Sequence, residues 1–373
     1  MTLNPIPYIH MVIGYVLDDT LDKTDGVQQA MIVIAERMRN LGHEVHYIVP
    51  YTERKDLQNV HSVAKVMSIK FNGNSTRTPI SSSKRQLKKL LREVKFNVLH
   101  VQMPYSPIMS AKLIKMAPKS VKIIGTFHIL PYNNIAKMGT KLLGSYLWRN
   151  KKRFNMVFAV SRPALEFMKK DFGMTGTVMP NPVDYKYYNS FAGESLEILK
   201  TRIVFVGRFD ARKGVRQLVN AYAKLPNKGE VELIMCGKGP LLQDLQEYSN
   251  INKLNIIFPG FVDNESKAKY LSSADIAVFP STAGESFGIV LVEAMSAGAG
   301  VTLGGNNPGY ASVLEEFDKT LFDPNNVQEF TTKLKEFIDD AELRRKIGSK
   351  QHEAVVKYDV DVVVDRLIKE AYI

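Results

Sequence analysis

Short apolar runs alternate with amphipathic stretches along the whole chain, and this alternation most restricts what it can fold into. Residues 8–16 (YIHMVIGYV) are followed by the amphipathic 26–42 and then by 44–50 (EVHYIVP). The first and third predict buried parallel strands, and the middle predicts a helix ending at Gly42. Residues 96–102, 121–127 and 154–160 continue the strand series. A second series starts at 201–207 and runs through 231–237, 255–260, 274–280 and 299–303. Strands alternating with helices build doubly wound α/β sheets. Two series predict two such domains, 1–190 and 191–356, joined near 184–200 where the pattern lapses. A final helix, 357–373, is expected to pack back on the first domain. At 373 residues the chain is too long for one ordinary core. Ligands of such sheets bind at the carboxyl ends of the strands, so two facing domains would make a cleft.

Composition narrows the function classes. A hydrophobic content of 45% and a charged content of 24% are ordinary for a globular protein. No run of about eighteen apolar residues predicts a membrane span, and the first residues lack the pattern of a signal peptide. The one cysteine, Cys236, lies in a predicted strand, which excludes an internal disulfide framework and suits a reducing cytosol. The net charge of +12 is the unusual bulk property and points to an anionic partner.

Residues 283–298, AGESFGIVLVEAMSAG, carry two glutamates around an almost wholly apolar stretch. The preceding ADIAVFP predicts a strand, STAGE a turn, and 286–298 a helix ending before Gly298. Glu285 then lies at the carboxyl end of a strand. The N–H groups from about Ser286 to Ile289, with the positive end of the helix dipole, suit a phosphate. Glu293 lies eight residues on, a little over two helical turns along much the same face. Two carboxylates can accept several hydroxyl donors, as a sugar or ribose presents. As a bare pair they would be a helix-capping acid and an exposed helix residue. The apolar fill argues otherwise, because a buried Glu needs a partner. The loop GRFDARKG (207–214) places Arg208, Arg212 and Lys213 at another strand end of the same sheet. Arg takes phosphate oxygens bidentately and Lys acts as a point charge. A solvated basic loop explains this stretch about as well in isolation.

GRFDARKG, GFVDNESKAKYLSSADIAVFPS and GESFGIVLVEAMSAG, in this order, resemble the GT-B glycosyltransferases of the large retaining family marked by Glu-x7-Glu. DGVQQ (25–29), FNG (71–73), FNVLHVQMP (96–104) and GTFHI (125–129) resemble the phosphatidylinositol mannosyltransferases within it. The resemblance spans nearly the whole chain and implies a GT-B fold, two Rossmann-like domains facing across a cleft. It implies a hexosyl transfer from a nucleotide sugar, GDP-mannose first, to the inositol head group of phosphatidylinositol. It also implies roles for residues. Arg208 and Lys213 would hold the diphosphate, Glu285 the hexose hydroxyls, and Glu293 the ribose. Phe287, Gly288 and Ile289 would offer backbone amides, while Val262 and Lys267 would suit the base. Gly26 would let its loop approach the donor phosphate. His128 would face the anomeric carbon; without its place after VKIIGTF, it would be a satisfied structural histidine. Gln28, Asn72 and Arg77 would face the acceptor head group.

Three positions depart from the family pattern. Asp25-Gly26 replaces a glycine pair. His100-Val101-Gln102-Met103 lacks the acidic residue often found there. Asn264 stands where an aspartate would contact guanine, and one amide oxygen cannot accept both N–H donors of the guanine edge. A UDP-sugar donor, another lipid or a soluble acceptor therefore stay open.

The resemblance implies retention of configuration, with the leaving phosphate taking the acceptor's proton. No Asp-x-Asp motif follows a predicted strand; Asp359 and Asp361 fit a helix start. No catalytic metal or other cofactor is expected. In SKRQLKKLLREVKF (83–96), Lys84, Arg85, Lys88, Lys89, Arg92 and Lys95 fall within an arc of about 140° at 100° per residue. Leu87, Leu90, Leu91 and Val94 fill the opposite arc, and a serine at 81–83 can cap the helix. A solvated surface helix explains the leucines but not six cations against the one acid, Glu93. RNKKRF (149–154) adds four more cations. The first domain is thus expected to meet an anionic membrane, as a peripheral protein on the inner face of the plasma membrane. A non-catalytic nucleic-acid binder is the rival from another class. Against it, aromatic residues do not interleave with the cations, and no nucleic-acid motif appears.

Overall fold

The computed structural model describes residues 10–23, 25–71, 74–131, 148–193 and 200–373. The strands are β1 (Val12–Val16), β2 (Glu44–Val49), β3 (Val60–Ser62), β4 (Ala64–Phe71), β5 (Asn74–Ser82), β6 (Val98–Val101), β7 (Lys122–Phe127), β8 (Met156–Ala159) and β9 (Thr177–Val178). They continue with β10 (Thr201–Val206), β11 (Val231–Cys236), β12 (Ile256–Gly260), β13 (Ile276–Phe279), β14 (Thr302–Gly305) and β15 (Leu321–Phe322). Two sheets run β3-β2-β1-β6-β7-β8-β9 and β12-β11-β10-β13-β14-β15. Every pairing described in them is parallel. They belong to two units, residues 1–180 with 360–373, and residues 181–359.

In the first unit the sheet is buried on both faces, which is why its strands read as continuous apolar runs. Successive side chains point to opposite faces. Ile13 and Tyr15 of β1 join Met31, Ala35 and Met38 of the helix Gly26–Asn40. Val16 joins Leu87 and Leu90 of the helix Lys84–Glu93 on the other face. The C-terminal helix Val360–Leu367 and the π-turn after it belong to this unit, with Val363, Val364, Leu367 and Tyr372 in the first of these cores. Tyr372 Oη is 2.7 Å from His100 Nδ1, fixing the chain end against β6.

Strand order reverses between β1 and β6 in one unit and between β10 and β13 in the other. Loops leaving neighbouring strands at such a point diverge and open a crevice at the carboxyl ends. GRFDARKG follows β10, and the Glu285 turn follows β13. Both functional stretches thus flank the second unit's switch point.

Three sequence expectations shift. The first unit ends at Pro180, not at 190. Residues 181–190 are tied to the second unit, with Val183 N donating to Tyr358 O at 2.9 Å and Tyr185 Oη 3.2 Å from His352 Nε2. The helix expected over 286–298 spans Ile289–Ser296, because Gly288 precedes it in a left-handed conformation (φ 111°). The antiparallel hairpin β4–β5 was not anticipated. It pairs only with itself, so it needs no continuous apolar run: β4 mixes apolar residues with Lys65, Ser68 and Lys70, and β5 is mostly polar and carries Pro79.

Candidate active site

The loops after β10 and β13 are stitched together by their backbones. Thr282 N donates to Arg212 O at 2.9 Å, and Thr282 Oγ1 reaches the same carbonyl at 3.2 Å. Gly214 makes this approach possible: its φ is +67°, and a Cβ there would stand 1.9 Å from Pro280 O. Asp210 caps the short 3₁₀ turn Ala211–Lys213 by accepting from Lys213 N at 3.1 Å. These constraints aim Arg212 and Lys213 at Glu285.

Three donors converge on one oxygen of Glu285. Oε1 accepts from Lys213 Nζ at 2.8 Å, Arg212 Nη1 at 3.0 Å and Ser281 Oγ at 2.8 Å. Burial alone would raise the carboxyl pKa, but Lys213 and then Arg212 outweigh it and hold the group down at about 2. Glu285 is therefore a fixed anion at neutral pH. Among the described residues nothing donates a hydrogen bond to its Oε2, which leaves that oxygen as an acceptor for a hydroxyl. Arg208 is turned elsewhere, with Nη2 3.3 Å from Asp210 Oδ2 and the side chain 38% exposed. The structure thus brings Lys213 and Arg212 to Glu285 and pairs Arg208 with Asp210.

Glu293 repeats the arrangement. Its Oε1 accepts from Lys267 Nζ at 2.7 Å and from Tyr188 Oη at 2.9 Å. Again no described residue donates to Oε2. Glu293 is buried within the helix Ile289–Ser296, so a partner is obligatory. Lys267, expected toward a base, is committed to this carboxylate. Val262 lies half-buried in the loop after β12, ahead of the helix Asn264–Ser272. Asp263 caps that helix by accepting from Ser266 N at 2.8 Å, and Asn264 is its exposed first residue.

The amides of Phe287, Gly288 and Ile289 surround the start of the helix Ile289–Ser296, where N–H groups lack partners within the helix. Phe287 is anchored by its ring, edge-on to Tyr358 at 5.4 Å. Gly288 is pressed against Tyr310, and a Cβ would meet Tyr310 Cδ1 at 2.5 Å. Gly309 lets the next helix, Pro308–Val313, reach the Glu285 backbone, since a Cβ would stand 2.2 Å from Glu285 O.

In the first unit, His128 follows β7 and is buried, with Nε2 2.9 Å from Gln102 Oε1. Because that oxygen only accepts, Nε2 carries the hydrogen. Burial pushes the imidazole down to about 3, so it is neutral at physiological pH. Gly26 is the first residue of its helix. Gln28 is buried, and its Nε2 donates to Thr20 O at 3.1 Å, so one amide donor is spent on the loop before it. Arg77 is on β5. Asn72 lies outside the described residues.

Comparison with known proteins decides the family. Residues 24–187 match Glycosyltransferase Family 4, and residues 195–353 match Glycosyl transferases group 1. The phosphatidyl-myo-inositol mannosyltransferase of Mycolicibacterium smegmatis is 30% identical over 375 residues, covering 96% of this chain and 93% of that protein. This chain belongs to the group 1 glycosyltransferases. The Mycobacterium tuberculosis protein of the same name is 29% identical, with 96% of each chain covered. Among solved structures, Anabaena HepE in complex with UDP and glucose matches at a TM-score of 0.75 and 17% identity, covering 97% of this chain and 99% of that one. Sucrose-phosphate synthase from Thermosynechococcus elongatus matches at 0.73 and 16%, covering 97% and 98%. The fold is GT-B, built from two Rossmann-like units.

Within this glycosyltransferase, sequence reasoning missed several residues around the glutamates. Arg212 was read as one of a basic crowd, yet it contacts Glu285 directly. Ser281 and Tyr310 carried no signal. Tyr310 is buried, and its hydroxyl is held by Ser281 and raised well above its usual pKa by burial and then by Glu285. The basic helix Lys84–Glu93 is capped by Ser83, which accepts from Gln86 N at 3.3 Å. Lys84, Arg85, Lys88, Lys89 and Arg92 are all exposed, whereas Leu87 and Leu90 are buried. No described helix is long and apolar enough to cross a membrane. No three His, Cys, Asp or Glu gather as a metal site among the described residues.

Proposed function

We propose that this glycosyltransferase moves a hexose, mannose from GDP-mannose, onto the inositol head group of phosphatidylinositol at the inner membrane surface. One observation carries the donor half. Glu285 and Glu293 each have one oxygen occupied by protein donors and the other without a described hydrogen-bond donor. A nucleotide sugar offers hydroxyls at two separated places, the hexose and the ribose. In this reading Glu285 accepts from the hexose and Glu293 from the ribose. Lys213, Arg212, Arg208 and the amides of Phe287, Gly288 and Ile289 stabilise the negative charge that grows on the departing diphosphate. Such preorganised donors are worth about 10²–10³ each in rate. These cations supply the compensation a divalent metal would otherwise bring, and we propose that none is required.

The acceptor half leans on the named relatives and on the exposed cations of the helix Lys84–Glu93. His128 is assigned to the anomeric centre as a neutral hydrogen-bonding group, since an imidazole with a pKa of about 3 cannot serve as a general acid at pH 7. Gly26 is assigned to the donor phosphate, and Gln28, Asn72 and Arg77 to the head group. Transfer proceeds with retention, the leaving phosphate taking the proton of the attacking hydroxyl.

A second donor is favoured by one observation. At the start of the helix Asn264–Ser272, Asp263 is spent on capping, and the exposed residue beside it is an amide. That loop suits a uracil edge, with one donor and flanking acceptors, as well as a guanine edge. A screen of labelled GDP-mannose, UDP-glucose and UDP-galactose with phosphatidylinositol vesicles tests both halves. Labelled lipid from GDP-mannose is expected. Labelled lipid from a UDP-sugar alone replaces the donor, and label transferred only to other acceptors removes the phosphatidylinositol assignment.

A further inference from the structure

Tyr188 sits where the strand and helix pattern lapses, and no motif attaches it to a site. The structure puts it on the short helix Tyr185–Asn189, inside the second unit. That helix is set by Asp184, which accepts from Tyr187 N at 3.0 Å. The phenol is 6% exposed, and Glu293 is 5% exposed. Its hydroxyl and the Lys267 ammonium reach the same oxygen, Oε1, at 2.9 and 2.7 Å. Lys267 Nζ also lies 5.5 Å from the centre of the Tyr188 ring, so the three groups form one buried cluster.

A carboxylate able to rotate would present either oxygen to a ligand. Two donors from different elements remove that freedom. Lys267 comes from the helix after β12, and Tyr188 from the segment preceding β10. Hydrogen bonds to an ionised group are about twice as strong as neutral ones. The phenol keeps its proton for this purpose, since burial and then the Glu293 charge raise its pKa well above the ordinary value.

We propose that Tyr188 is a positioning residue for the nucleotide site: by holding Oε1 of Glu293 it fixes Oε2 as the acceptor for a ribose hydroxyl of the nucleotide sugar. The proposal rests on the reading of Glu293 as the ribose residue. It predicts that the hydroxyl of Tyr188, not its ring, contributes to nucleotide affinity.

The test is Tyr188→Phe, which keeps the ring and its packing. Calorimetry compares GDP with its 2′-deoxy and 3′-deoxy analogues, using UDP and its analogues if GDP does not bind. For the parent enzyme, deleting the hydroxyl that faces Glu293 should weaken binding about tenfold, the size of one charge-assisted hydrogen bond. In Tyr188→Phe the intact nucleotide should bind about fivefold to tenfold more weakly. The matching deoxy analogue should bind both proteins within about twofold. KM for the sugar donor should rise, with kcat at saturation nearly unchanged. If the variant keeps the parent's full discrimination between ribose and deoxyribose, the proposal is overturned, even if its thermal midpoint falls. If the parent itself does not discriminate, and Glu293→Gln binds nucleotide like the parent, the ribose reading fails and the proposal with it.

Discussion

Lys213 Nζ lies 2.8 Å from Glu285 Oε1, and this contact holds the glutamate as an anion in a half-buried turn. Lys213 thus has two duties in the proposed reaction, orienting the sugar-binding carboxylate and offsetting diphosphate charge. Lys213→Ala should lower turnover by about 10²–10³. Glu285→Gln keeps the shape but loses charge-assisted acceptance from hydroxyls. It should reduce kcat strongly while changing the Kd of the free nucleoside diphosphate little. Single-turnover transfer beside calorimetry of the nucleotide is the measurement. Equal losses in both would move Glu285 from sugar to nucleotide.

Two glycines hold the site's loops together, and alanine at either should expose that. Gly214→Ala puts a Cβ against the backbone oxygen of Pro280, which cannot swing away. Gly288→Ala puts one against the Tyr310 ring, which can yield a little. Both also carry the cost of a left-handed backbone, on the order of 1–3 kcal/mol. Urea unfolding should show both variants destabilised, Gly214→Ala more than Gly288→Ala. Parent-like stability for Gly214→Ala would mean the loop has another packing available.

Acid should weaken the first unit early. His100 and His128 are both held near pKa 3, His100 by burial and then by His128, and His128 by burial. The unfolded chain takes protons there below about pH 6.5, and the folded chain does not until about 3. Their contribution is therefore complete above pH 6.5 and is lost as pH falls from 6.5 toward 3. At about 1.4 kcal/mol per pH unit, each imidazole removes on the order of 2 kcal/mol by pH 5. Glu285, lowered to about 2 from 4.5, adds a loss that starts only below pH 4.5. His100→Gln should flatten the slope of unfolding free energy between pH 6.5 and 5. An unchanged slope would place the sensitivity in other groups.

Much of this was legible in the sequence because parallel sheets announce themselves. A strand buried on both faces is a continuous apolar run, so nine predicted strands each contain an observed one, and the tenth, 299–303, overlaps β14 by two residues. The hairpin β4–β5 and the two-residue strands β9 and β15 left no such run. Glu285 and Lys213 were legible because their types recur in fixed motifs beside strand ends. Tyr310 and Tyr188 were not, because each acts by a hydrogen bond to a residue brought close by folding, and Ser281, four residues before Glu285, belongs to no motif that marks a serine there. Tyr188 is 105 residues from Glu293 in the chain, and no periodicity encodes that contact. The reach of Gln28 to Thr20 O was hidden for the same reason.

The donor and metal proposals share one set of measurements. GDP should bind more tightly than UDP if the mannosyl reading holds. With Asn264 in place of an aspartate, the gap should be narrow, and Asn264→Asp should widen it by restoring a second acceptor. Tighter UDP binding would replace the donor and leave the glycosyltransferase assignment standing. Activity should persist in EDTA. Activity lost to EDTA and restored by Mn²⁺ would contradict the role given to Arg208, Arg212 and Lys213.

The membrane proposal turns on a helix whose two faces are sharply divided. Leu87 and Leu90 are buried, and each contributes about 1.5–3 kcal/mol to docking the helix on its sheet. Lys84, Arg85, Lys88 and Lys89 point away from that core and are exposed. Only Lys89 has an acidic neighbour along the helix, Glu93 at 3.7 Å, and an exposed pair of this kind is worth little. Near an anionic leaflet each cation gains about 1 kcal/mol. That gain is screened within about 8 Å at physiological ionic strength. Replacing Lys84, Arg85, Lys88 and Lys89 by serine should leave the fold intact, because the leucines stay, and should leave nucleotide affinity unchanged, because none of the four is assigned to the nucleotide. It should abolish co-sedimentation with vesicles containing phosphatidylinositol and, with it, transfer to the lipid. Parent binding should need anionic lipid and weaken steeply as salt rises. A four-fold variant that sediments like the parent would reduce the helix to a solvated surface and remove the membrane from the proposed function.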